Sequence, residues 1–268
     1  TPKSSSAASD VYKRQGMDNL KRYPNSWDFN NDGIELKPDW VHSMYRPHID
    51  KLGPSHQFRW NSQGRWIDLS CQIALDAKCL SEMTKLINLE EESEHYRKKY
   101  NKLAEIINDL CWNEEHQFYF DLGYGEQIIR YHIGSYWTLL AGIVPKSQQE
   151  GFVSHLSDTK KFNTQVPVPS LAVDDPDFSS DGKYWRGSSW HPTTYMVIKG
   201  LEKNGFRKKA KEISISCVNA NLILFKKTKT FWENLSPLKA EPGNPSQPDF
   251  CGWAGLSSVA IPREFLKG

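Results

Sequence analysis

DLSCQIALDAKCLSEMTKLINLEEESEHYRKKYNKLAEIINDL, Asp68 to Leu110, carries the pattern that decides the fold. Asp68 is placed to N-cap a helix running to about Leu89, with Leu69, Ile73, Ala77 and Leu80 on one stripe. A second helix follows from about Glu91 to Leu110, where Tyr96, Tyr100, Leu103, Ile107 and Leu110 recur at helical spacing. The short polar break between them predicts a helical hairpin.

The same unit repeats toward the C-terminus. Phe118 to Tyr131 reads as a short hairpin around Gly123 and Gly125. Short helices are predicted over Gly134 to Val144, closed by Pro145, and over Ser147 to Leu156. Val166 to Gly187 is a Pro- and Asp-rich loop. Helices resume at about Pro192 to Lys203 and Arg207 to Lys226, a polar loop spans Thr228 to Phe250, and a last helix starts near Trp253. Helices thus come in consecutive pairs separated by long aromatic loops, with no βαβ rhythm, which predicts an all-α stack of helix pairs with a loop-built face. Toward the N-terminus, Gly16 to Arg65 is rich in Pro, Asn, Asp, Trp and His and reads as long ordered loops of the kind that carry function. Residues 1–15 are Ser-rich, then basic, and resemble adapter-derived sequence rather than a native leader; they lack the apolar core of a signal peptide. This divides the chain into a non-native leader, 1–15, and a helical domain, 16–268.

Composition narrows the function. The 34 Lys and Arg nearly balance 32 Asp and Glu, which argues against a nucleic-acid partner or a polybasic membrane contact. No apolar run approaches the roughly 18 residues of a bilayer span. Five cysteines without a CxxC suit reduced, mostly buried thiols, and with no visible signal a cytoplasmic location is favoured. Ten Trp in so polar a chain suggest flat aromatic faces with a purpose beyond core filling.

Two carboxylates sit in loops among aromatic and amide residues: Asp18 in GMDN, Gly16 to Asn19, and Glu233 in FWENLSP, Phe231 to Pro237. Glycoside hydrolysis needs one carboxyl group to protonate the leaving oxygen and another to activate water or attack the anomeric carbon. YWRGSSWHP, Tyr184 to Pro192, and DFCGWAGL, Asp249 to Leu256, each set Trp beside Gly, so that a backbone can approach a ligand and an indole can face the C–H side of a pyranose. Each feature has a plainer reading: Asp-Asn as a turn, Glu233 as surface, and Trp185, Trp190 and Trp253 as inter-helix core.

Taken together, GMDN with Arg22, WIDLSCQIALDAKCL, LCWNEEHQFYFD, SYWTLLAGIVP, FNTQVPVPSLAVDDPDF, YWRGSSWHPTTYMVIKGL, TFWENLSP and PGNPSQPDFCGWAGL resemble glycoside hydrolase family 63 over about Gly16 to Pro262. The likeness is to its bacterial mannosylglycerate hydrolase-like (MGH1-like) members, with trehalases and the processing α-glucosidase I as distant relations. It implies an (α/α)6 toroid of six helical hairpins and inverting hydrolysis of an α-glucosidic or α-mannosidic bond. By matched position, Asp18 corresponds to the general acid and Glu233 to the general base, while Arg22, Trp185, Arg186, Gly187, Asp249 and Trp253 fall in motifs that line the sugar pocket. An inverting pair implies carboxyl groups roughly 6.5–9.5 Å apart.

The chain departs from the family pattern at Arg14-Gln15 before MDN, at Lys21, at Leu235 where Tyr is common, and at Ala254 where Ser or Thr is common. About seven or eight helices are read where six pairs make a closed ring, so the toroid is expected to be incomplete at both ends. The alternative to an enzyme is an inactive carbohydrate-binding fragment that keeps the Trp faces without turnover. Asp28, Asn30, Asp32, Gly33 and Asp39 match the start of a calcium loop, though an Asn/Asp turn is the simpler reading, so calcium is the one cofactor left open. His42, His48 and His56 lie outside the usual short zinc spacings. Cys251-Gly252-Trp253 lacks the downstream His that a cysteine protease needs. The partner expected is a carbohydrate substrate, and the sequence leaves the oligomeric state open.

Overall fold

The computed structural model describes residues 64–123 and 126–266. Asp18, Arg22, the Asp28 to Asp39 segment and His42, His48 and His56 lie outside the described residues. The quoted stretch forms the expected hairpin: α1, Ile67–Leu86, packs along α2, Glu90–Cys111. The buried face of α1 includes Leu69 and Ala77 of the expected stripe but not Leu80. Ser70, Cys71, Ala74 and Ala77 are buried, whereas Leu80 is exposed, because small side chains let the neighbouring helices approach closely. Of the expected α2 stripe, Leu103 and Ile107 are buried and Tyr96 and Tyr100 half-buried, while Leu110 turns outward and Cys111 is buried in its stead.

Asp68 is not an N-cap. The helix begins two residues earlier than that cap implies, Trp66 holds the cap position without a side-chain capping bond, and Asp68 sits buried in the first turn, where its carboxylate accepts the Leu69 amide at 2.9 Å. The orphan N–H of Ile67 donates instead to Asp121 Oδ1, at 3.0 Å, from a strand far along the chain. Asp121 Oδ2 lies 3.0 Å from His132 Nε2, and both side chains are buried. One carboxylate thereby ties the start of α1 to the entry of the next helical unit.

Beyond α2, β2 (Trp112–Asn113) pairs with β3 (Phe118–Tyr119). The segment β1 (Gly64–Arg65) joins β4 (Asp121–Gly123), which pairs with β5 (Glu126–Ile128). Only the second half of the expected 118–131 hairpin is therefore paired as read; Phe118 and Tyr119 fold back onto Trp112 and Asn113. The helix expected over 134–144 is split into a buried 3-10 turn, Ile133–Tyr136, and a short α3, Trp137–Ala141, closed by Gly142 at φ 74°. A fully buried aromatic nest docks α4, Lys146–Ser154, on this unit: Tyr136 stacks on Phe152 at 4.6 Å between centroids.

The next pair is α5, His191–Lys203, and α6, Arg207–Thr228, followed by a π-helical turn, Leu256–Ala260, and a short α7, Ile261–Phe265. Contacts run from α1 to α3, from α3 to α5 and from α5 to the π turn, forming an inner wall, with α2 behind α1 and α6 behind α5. Burial follows this placement. Most of α5 is enclosed, whereas α2 exposes a charged face along its length. Gly200 of α5 faces α3 so closely that a Cβ there would lie 3.1 Å from the Leu140 backbone nitrogen. Gly200→Leu is expected to lower stability by about 1–3 kcal/mol in urea unfolding, overpacking outweighing the gain in helix propensity. An unchanged midpoint would show that these helices do not meet backbone to backbone.

The connections are asymmetric in a way that locates function. Within a pair they are short: residues 87–89, 142–145 and 204–206. Between pairs they are long, 112–132, 155–190 and 229–255, and each delivers the chain to the start of the next inner segment. Among the described residues these three long loops therefore gather at one end of the helical wall.

Candidate functional site

Two of these loops build the site, and a minimal sheet aligns them. Ser189–Trp190 (β6) pairs with Asn234–Leu235 (β7), placing Glu233 beside the loop that carries Trp185, Arg186 and Gly187. Further bonds fix the register: the Val166 amide donates to the Pro237 carbonyl at 2.9 Å, the Tyr184 amide to the Asn244 carbonyl at 3.0 Å, and the Ser236 hydroxyl to the Ser180 carbonyl at 3.1 Å. Asp181 accepts from Ser179 Oγ and from Asn244 Nδ2, and these bonds hold its carboxyl below the usual range.

Glu233 is buried to 8 % exposure, on a backbone whose polar groups are all engaged. Its N–H donates to the Gln247 carbonyl at 2.9 Å, and its carbonyl accepts the Trp253 indole N–H at 2.9 Å. Asn234, the next residue, is fully enclosed and donates its amide N–H to the Pro245 carbonyl. The side-chain amide of Asn234 fills the space where a Cβ at position 243 would fall, so glycine is required there. Glu233 Oε1 lies 3.4 Å from the Tyr184 hydroxyl, a long hydrogen bond. Burial first, and then the adjacent carboxylate, push the Tyr184 phenol above its ordinary value, so it stays protonated and donates to Glu233.

Tyr184 is the residue that reading the sequence missed. Lys183 and Tyr184 both take positive φ, 29° and 61°, a strain that persists only where the surroundings over-determine it. No spacing signals such a turn. The only hint was its place directly before Trp185-Arg186-Gly187.

The aromatic residues of the site form one cluster. Trp185 stacks on Trp190 at 3.6 Å and 10°, Tyr184 meets Trp190 edge-on at 4.8 Å, and Trp253 lies 6.0 Å from Trp190 and 4.8 Å from Phe250. Trp185 and Trp190 are buried, whereas Trp253 is half-buried and keeps part of its surface toward solvent. Arg186 is half-buried, and its backbone carbonyl accepts the Ser179 amide. Gly187, at φ 146°, passes so near the preceding turn that a Cβ would sit 2.7 Å from the Ser179 carbonyl oxygen and 2.8 Å from the Phe178 ring. Asp249 is exposed at φ 52°; its amide donates to Thr230 Oγ1, and Thr230 Oγ1 donates back to Asp249 Oδ1 at 2.5 Å, closing the Glu233 loop on itself. The structure thus brings Glu233, Trp185, Arg186, Gly187, Asp249 and Trp253 to the joined pair of loops.

His191, at the start of α5, stands behind this cluster and is 2 % exposed. Burial pushes its imidazole down from 6.5 to about 4. Between those values the unfolded chain binds more protons than the folded one, so this contribution to stability is complete above about pH 6.5 and is lost as pH falls toward 4. At pH 5 the protein is expected to lose about 2 kcal/mol from this group relative to pH 7.5, a loss absent in His191→Gln. Urea midpoints of the two proteins at both pH values check this, and parallel declines would contradict it.

Among the described residues no group of three or more His, Cys, Asp or Glu is arranged to hold a metal ion, and no helix is long and apolar enough to cross a membrane. None of the five cysteines is joined in a disulfide, and Cys71, Cys111 and Cys217 are buried.

Comparison with known proteins agrees with this architecture. Residues 17–254 match the family model described as the mannosylglycerate hydrolase MGH1-like glycoside hydrolase domain. A probable mannosyl-oligosaccharide glucosidase of Schizosaccharomyces pombe is 25 % identical over 208 residues, covering 71 % of this chain and 25 % of that protein. Among solved structures, the family 63 mannosylglycerate hydrolase of Thermus thermophilus in complex with glucose superposes with a TM-score of 0.62 at 19 % identity, covering 81 % of this chain and 49 % of that one. Neutral trehalase Nth1 of Saccharomyces cerevisiae gives a TM-score of 0.69 at 15 % identity, over 97 % of this chain and 58 % of that one. The chain therefore spans a quarter to somewhat over half the length of these proteins, and the likeness to the two solved structures is one of fold, the six-hairpin toroid.

Proposed function

We propose that this chain, which belongs to the mannosylglycerate hydrolase MGH1-like glycoside hydrolases of family 63, serves inverting hydrolysis of an α-glucoside or α-mannoside. Glu233 is the general base in this reading. It takes a proton from water as the oxygen attacks the anomeric carbon, while Asp18 protonates the departing glycosidic oxygen on the opposite face of the sugar. The observation that carries the assignment is the buried Glu233 carboxylate, held by a fully bonded backbone and by the Tyr184 hydroxyl at the loop-rich end of the helical wall. A surface glutamate needs none of this support; a base that must meet one water in one orientation does.

The remaining residues have distinct parts. Trp253 offers a partly open aromatic face, Arg186 and Asp249 supply donors and acceptors for hydroxyls, and Gly187 lets the backbone approach where a side chain would intrude. Arg22 joins them by its place in the same motif as Asp18. The relatives named for oligosaccharide glucosidase and mannosylglycerate hydrolase activity favour glucose or mannose as the sugar. The test is turnover by the intact protein of aryl α-glucoside, aryl α-mannoside and glycerate-linked sugars. Hydrolysis of at least one is expected, and no release from any of them would contradict the reading.

A further inference from the structure

We propose that His191 is a positioning residue for the base: its neutral imidazole bridges Ser257 and the Trp232 carbonyl and so fixes the peptide that carries Glu233. The inference rests on the assignment of Glu233 made above. Trp232 and Glu233 share one peptide group. Its N–H donates to the Gln247 carbonyl, and its C=O accepts from His191 Nε2 at 2.9 Å. A carbonyl can only accept, so Nε2 carries the proton. In the neutral ring Nδ1 is then the acceptor, and the Ser257 hydroxyl donates to it at 2.6 Å. Cys217 in turn donates to Ser257 Oγ at 3.3 Å, and Asn221 Nδ2 reaches Cys217 Sγ at 3.8 Å.

The chain of donors therefore runs one way, from α6 through the π turn and the first residue of α5 to the backbone of Glu233, and every side chain in it is buried. Val166, Pro167, Thr194, Cys217, Asn221 and Leu235, which line the space beside the ring, carry no charge, in keeping with an imidazole that stays neutral. The other two anchors of this backbone, Gln247 and Trp253, belong to Glu233's own loop and the residues leading into the π turn. His191 alone of the three joins it to α5, which packs against α3 in the inner wall. Without that bond the peptide plane can rotate, and the carboxylate leaves the line between water and anomeric carbon.

The experiment is a double-mutant cycle in the intact protein with α-glucosyl or α-mannosyl fluoride, each rate divided by the folded fraction from circular dichroism. His191→Leu should lower kcat for hydrolysis by about 10- to 100-fold with KM changed less than about threefold, since misplacement of about 1 Å is costly at this step. His191→Gln, which can donate to the carbonyl and accept from Ser257, should recover most of the loss. In a Glu233→Ala background with azide, the azide ion attacks the anomeric carbon, the C–F bond breaks, and β-glycosyl azide and fluoride form without a base. There His191→Leu should cost less than about twofold, because a residue acting through Glu233 has nothing left to position.

An unchanged kcat in His191→Leu, or an equal loss in both backgrounds, overturns the proposal. Should His191→Leu fail to fold, Ser257→Ala replaces it, with an expected loss of about 3- to 10-fold that also vanishes with azide. If Glu233→Ala hydrolyses at the wild-type rate, the assignment of the base is what fails, and the role of His191 falls with it.

Discussion

Replacing Glu233 with Gln is expected to lower kcat for hydrolysis by about 10⁴-fold while leaving the urea midpoint almost unchanged. Gln keeps the volume and can still accept from Tyr184, whose hydroxyl lies 3.4 Å from Glu233 Oε1. The backbone anchors at Gln247 and Trp253 do not involve the carboxylate at all. What disappears is the capacity to take a proton from water. Substrate affinity should hold, so the loss falls on kcat rather than KM. A variant that keeps full activity would remove Glu233 from the mechanism, and one that loses activity only in proportion to lost folded protein would make it structural.

Asp18→Asn should divide substrates by their leaving groups. For a sugar or glycerate leaving group, which departs only with a proton, the expected loss is about 10²–10⁴-fold. A glycosyl fluoride needs no such proton and should be turned over with a far smaller loss. This contrast separates the acid from the base, because Glu233→Gln is expected to slow both substrates. Equal losses on the two substrate classes would take the role of acid away from Asp18.

The fold was legible where burial leaves a period in the sequence. Leu103 and Ile107 mark the inward face of α2 because the opposite face is charged. On α1 the same reasoning selects Leu69, Ile73, Ala77 and Leu80. Leu69 and Ala77 are buried, but Leu80 is exposed. The close packing is completed by the small residues Ser70, Cys71 and Ala74, which a weighting toward large apolar groups passes over. Asp68 looked like a cap because caps are normally local, and nothing near Ile67 announces that Asp121 does that work. Of the candidate site, Glu233, Trp185, Arg186, Gly187, Asp249 and Trp253 stand in loop motifs that composition and family resemblance both single out. Their meeting depends on β6 and β7, two residues each, too short to leave any alternation. Tyr184 was hidden for a related reason, since its position follows from a strained turn rather than from residue type. The bond from His191 to the Trp232 carbonyl spans 41 positions and has no local signature.

The reading as a whole requires water to enter from the face opposite the leaving group, with Glu233 as its base. Proton NMR of the earliest time points, taken before mutarotation, identifies the anomer first released from an α-linked substrate. The account predicts the β anomer, later equilibrating to the mixture. Release of the α anomer first would contradict it, since retention needs a covalent glycosyl intermediate and a pair of carboxyl groups only about 5 Å apart.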